Sequence, residues 1–75
     1  MINVNELQRL RFRREQLLGD IHSNEEAVRL VDISPIDRSM IAETIKAEQR
    51  LMEAYDMRIK RMERLYKEQH DGNAQ

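Results

Sequence analysis

Apolar residues recur at alternating steps of three and four along two stretches of the chain. The first passes through Leu7, Leu10, Arg14, Leu17, Ile21, Asn24, Val28 and Val31, and six of these eight positions are apolar. The second passes through Ile41, Ile45, Glu48, Met52, Tyr55, Ile59, Met62 and Tyr66, with Glu48 as its one charged member. Such spacing keeps side chains on one narrow face of an α-helix, and a helix with that stripe needs a second helix to cover it. Leu51 and Leu65 widen the second stripe beyond a strict two-stranded seam.

Ser34-Pro35 divides the two stretches. A serine at a helix N-cap accepts a backbone N–H, and proline in the next position gives up no helical hydrogen bond. Asp37, three residues on, places negative charge in the positive first turn. Proline also drives Ser34 out of helical geometry, so the preceding helix must stop before it. At the start of the chain, Asn3 is a candidate cap with Glu6 closing its capping box, and Ile2 is placed to pack on Leu7. The pattern predicts an all-α fold: an antiparallel two-helix hairpin, coiled-coil-like, with helices over 4–32 and 35–69, a turn at 32–35 and a frayed tail at 70–75. The alternative is a three-helix bundle with a break near Gly19–Asn24, where Ser23 would cap a new helix and Glu26 would close its box. Continuity is favoured because the spacing passes through Ile21 and Val28 without a phase slip.

Length changes this picture. Seventy-five residues make one small domain, and a lone hairpin of that size buries little apolar surface. Phe12, Leu18, Leu30, Leu51, Met57 and Leu65 lie off the primary seam and require a surface of their own. The expectation is a homodimer forming a four-helix bundle, or a hairpin docked on a larger protein.

Folding back at the proline sets residues opposite one another. Arg14 then falls opposite Glu53 and near Tyr55, with Glu48 near Leu18 and Gly19, and Asn24 falls opposite Glu43 and Ala42. Polar residues inside an apolar seam weaken it but fix register, and Arg14 and Asn24 are assigned that role. Met52 and Met62 read as core fillers, whereas Met40 and Met57 fall off the seam and suit an adaptable patch.

Charge is sorted by end. Residues 1–18 hold four Arg against two Glu, and residues 50–68 hold six Lys/Arg against four Asp/Glu. Residues 19–49 hold three Lys/Arg against seven Asp/Glu. A hairpin therefore has a basic open end and an acidic loop end, which the net charge of −1 conceals.

Candidate chemistry is sparse. There is no cysteine, which excludes disulfides and thiolate metal sites. The three serines have no triad geometry. His22 with Glu25 and Glu26 has ligand spacing, but three residues on one helix fall short of a convergent site, so no metal, cofactor or catalytic residue is assigned. No apolar run reaches the length of a membrane span, and the first residues lack the pattern of a signal peptide. A cytoplasmic, non-enzymatic interaction module is the expectation. Its expected partner-binding residues are Phe12, Leu18, Leu51, Met57 and Leu65, oriented by Arg9, Arg11, Arg13, Arg61 and Arg64. The runner-up is a dimeric nucleic-acid-binding regulator that stacks Phe12 on a base while the arginines hold phosphates.

Overall fold

A computed structural model describes residues 4–73, with side chains through His70. The capping roles of Ile2 and Asn3, and the end of the tail at 74–75, lie outside the described residues. Two helices pack against each other as a hairpin: α1 spans Val4–Val28 and α2 spans Pro35–Asn73. Its longest dimension is 62 Å, close to the ~58 Å that α2 alone covers at ~1.5 Å per residue.

Helix α1 runs unbroken through Gly19–Asn24, so the three-helix alternative does not hold. A Cβ added at Gly19 would meet nothing within 4 Å. Burial of Leu17 and Ile21 on either side of the glycine holds α1 to its seam and carries the helix across it.

The helix ends at Val28, short of the expected 32. Its last turn tightens: the N–H groups of Arg29 and Leu30 donate to the carbonyls of Glu26 and Ala27 at 3.1 and 3.2 Å, the three-residue bonding that commonly closes a helix. Carrying α1 to residue 32 would leave almost nothing with which to reverse direction before Ser34. Residues 29–34 make the reversal instead, and Val31, the last position of the expected seam, is 97% exposed. Helix α2 begins as its sequence dictates. The Asp37 N–H donates to Ser34 Oγ at 3.1 Å, and the Ser34 hydroxyl donates to the Asp37 carboxylate at 2.8 Å. At the far end α2 continues to Asn73, past the expected 69. The Tyr66 and His70 rings, one turn apart, lie 4.1 Å between centroids and hold that turn.

Leu7, Leu10 and Ile59 form the core cluster, with Tyr55 and Met62 packed on it; Leu17 and Ile21 are buried farther along α1. The register differs from expectation by about one turn. Arg14 bonds Asp56 rather than Glu53, and the Asn24 amide donates to Glu48 at 2.8 Å rather than facing Glu43 and Ala42. The linker explains the slip. It climbs beside the first turns of α2, where the Arg38 guanidinium donates to the Leu30 carbonyl at 3.0 Å. Those turns of α2 therefore stand beyond the end of α1.

Candidate partner-binding surface

Each helix has four directions: toward its partner, away from it, and to either side. At 3.6 residues per turn, about 100° per residue, a residue two places from a seam position points away from the seam. Phe12 stands two places from both Leu10 and Arg14 and is 63% exposed on the outer face of α1. Met57 stands two places from Tyr55 and Ile59 and is 73% exposed on the outer face of α2. The two lie on opposite faces of the molecule. They cannot belong to one contact patch on one flat partner.

The two long sides differ in chemistry. On one, Arg11, Arg14 and Glu15 of α1 face Asp56, Lys60 and Glu63 of α2, with Ile59 between them. This side is laced by ion pairs from Arg11 to Glu63 and from Arg14 to Asp56. On the other, Arg13, Gln16, Leu17 and Asp20 of α1 surround a shallow depression with Leu51 and Tyr55 of α2. Glu6 and Arg58, 3.7 Å apart, lie farther along the same side. Leu18 falls on the charged side and is half-buried, whereas Leu51 and Leu65 share the other side.

The expected cluster of apolar residues ringed by arginines is thus dispersed. Its one compact remnant is on the back of α2, where Met57 is surrounded by Lys60, Arg61 and Arg64. The α1 arginines are largely engaged with carboxylates. Arg9 pairs with Glu6, and the hydrogen bond between them draws the Glu6 carboxyl below its ordinary range and raises Arg9. Desolvation is the next-largest influence and opposes it, while the charges of Arg9, Arg58 and Arg13 add smaller lowering contributions. The hydrogen bond to Asp56 likewise raises Arg14. By contrast, Lys60, Arg61 and Arg64 make no salt bridge among the described residues.

The sequence pattern sets Leu30 and Met40 off the seam but does not gather them with Val31 and Ile36 into one surface at the loop end. Leu30, Val31, Ile36 and Met40 are all more than half exposed there. Their exposure follows from the early end of α1, which periodicity alone does not announce. Among the described residues, no group of three His, Asp or Glu is placed to hold a metal ion, and no helix is long and apolar enough to cross a membrane. No family model, curated protein or solved structure matches the chain.

Proposed function

We propose that this chain is a non-enzymatic protein–protein interaction module of the cytoplasm, acting as a small adaptor, inhibitor, assembly chaperone or regulatory subunit. The observation that carries the reading is the imbalance between inside and outside. Among the described residues five apolar side chains are buried, whereas nine large ones stand exposed: Phe12, Leu51 and Met57 along the shaft, Leu30, Val31, Ile36 and Met40 near the loop, with Val4 and Tyr66. Exposed apolar side chains gathered along helix faces mark surfaces for other proteins. Self-association is the simplest form of that activity, and a larger protein partner is the other.

The second reading rests on the cations around Met57, which make no salt bridge among the described residues. Lys60, Arg61 and Arg64 form a basic face suited to a phosphate backbone. A photoactivatable residue placed singly at Leu51, Met57 and Arg61 separates the two. Protein adducts at Leu51 and Met57 in cells are the expected result. Adducts to nucleic acid at Arg61, with binding that weakens steeply as salt rises, establish the second reading; absence of protein adducts at all three positions overturns the first.

A further inference from the structure

A second apolar stripe runs the length of α2, a quarter-turn from the one that faces α1. From Ile36 it steps by threes and fours through Met40, Thr44, Ala47, Leu51, Ala54, Arg58, Met62 and Leu65, with Met62 shared with the seam that faces α1. Ile36, Met40 and Leu51 are 73%, 64% and 47% exposed. The linker does not cover its start, because Arg38 holds the Leu30 carbonyl on the opposite side.

The order of residues in this stripe is nearly the same read from either end. A large aliphatic residue is followed by methionine, a polar residue, alanine and then Leu51, after which the series reverses. Turned end for end about Leu51, the stripe sets Ile36 over Leu65, Met40 over Met62, Thr44 over Arg58, Ala47 over Ala54, and Leu51 over itself. Small residues meet small ones beside the axis, and large ones meet large ones away from it.

The adjacent side of α1 contributes one charge pair to the same reversal. Turned about a point between Gln16 and Leu17, it sets Arg13 over Asp20. Neither of these two residues makes a salt bridge among the described residues. Gln16 and Leu51 border one depression together with Arg13, Asp20, Leu17 and Tyr55. The centre of reversal on α1 and the centre on α2 therefore border one depression, on one side of the hairpin.

We propose that this side is the contact between two copies of the chain, packed antiparallel about a two-fold axis through the Gln16–Leu51 depression. The proposal rests on the interaction reading above and names the partner as a second copy. Stripes a quarter-turn from the intramolecular seam on both helices place the four helices at the corners of a bundle, and an isologous contact requires a surface complementary to itself. Charge points the same way. Reversal brings residues 19–49, with seven acids against three bases, beside the other copy's open end, where ten bases oppose six acids. A parallel arrangement would set like beside like.

Since the chain has no cysteine, single cysteines report the geometry directly. Ile36→Cys and Leu65→Cys, mixed and oxidised, cross-link to each other far faster than either does to itself, and Leu51→Cys cross-links to itself. Arg13→Asp alone weakens self-association by about tenfold or more by placing like charges together twice per dimer. Adding Asp20→Arg restores it, which a folding defect would not allow. Self-linked Ile36→Cys at the mixed rate overturns the orientation. A chain that sediments as a monomer overturns the proposal altogether, whereas protein adducts at Leu51 to a different partner would leave the interaction reading standing without it.

Discussion

The two ends of the hairpin contain similar amounts of apolar sequence and use it differently. At the open end, Leu7 and Leu10 of α1 close over Ile59 of α2 and are almost wholly buried. At the loop end, Val28, Ile41 and Ile45 are only half-covered, and Leu30, Val31, Ile36 and Met40 face outward. The difference comes from the geometry of reversal. An α1 that stops at Val28 cannot fully cover the first turns of α2, so Ile36 and Met40 are left more than half exposed. The open end is where the hairpin holds itself together, and the loop end offers its apolar residues to something else.

The contrast is broken most severely by truncating a residue at each end. Leu10→Ala removes the most buried side chain of the core cluster and is expected to cost about 2–4 kcal/mol, with a marked fall in Tm. Val31→Ser, at a side chain 97% exposed, is expected to stay within about 0.5 kcal/mol. Urea melts of both variants at one protein concentration decide the matter. Equal losses would mean that the loop end is covered too.

Gly19 sits between the two ends and tests whether α1 is one continuous rod. It is exposed within the helix, and a Cβ there meets open space. Gly19→Ala removes backbone freedom from the unfolded chain without creating a clash, and is expected to stabilise the hairpin by about 0.5–1 kcal/mol. Thermal melts followed by circular dichroism measure this. A loss of stability would show that the segment needs freedom a continuous helix does not use.

The pairing of two helices was legible because three-four spacing states which face of each must be covered. The register was not. A seam of repeating apolar positions remains matched after a slip of one turn, so only its polar members distinguish the alternatives. Arg14 and Asn24 interrupt the seam and bond across the hairpin, but their partners depend on where α1 ends and how the linker travels. That end is set by the closing bonds of Arg29 and Leu30, and no glycine marks it. The candidate surface shows the same division. Phe12, Leu51 and Met57 were recognisable as outward apolar residues. Grouping them overlooked that Phe12 and Met57 each stand two places from their own seams, which sets them back to back. The stripe from Ile36 to Leu65 is present in the spacing, but two of its members, Leu51 and Leu65, also widen the first stripe and so do not stand out from it.

The smallest expected effect is at the open end and concerns charge rather than packing. Arg9 donates to Glu6, and Arg58 and Arg13 add their fields, so folding lowers the Glu6 carboxyl below its ordinary value of 4.5. A carboxyl lowered on folding binds fewer protons in the native state than in the unfolded one. Its contribution is therefore fully present above the unfolded pKa of 4.5 and is lost as pH falls through the lower folded value. Glu6 is near the surface, where such pairs contribute little and are screened by salt, so the expected difference is a small one. Glu6→Gln should melt slightly below the wild type at neutral pH and low salt, and the gap should close on acidification below about 4.5. Melts of the two proteins across that range provide the check. A gap that is the same at pH 7 and pH 3 would mean that Glu6 acts through packing or another contact, and the charge cluster would then contribute nothing to the firmness of the open end.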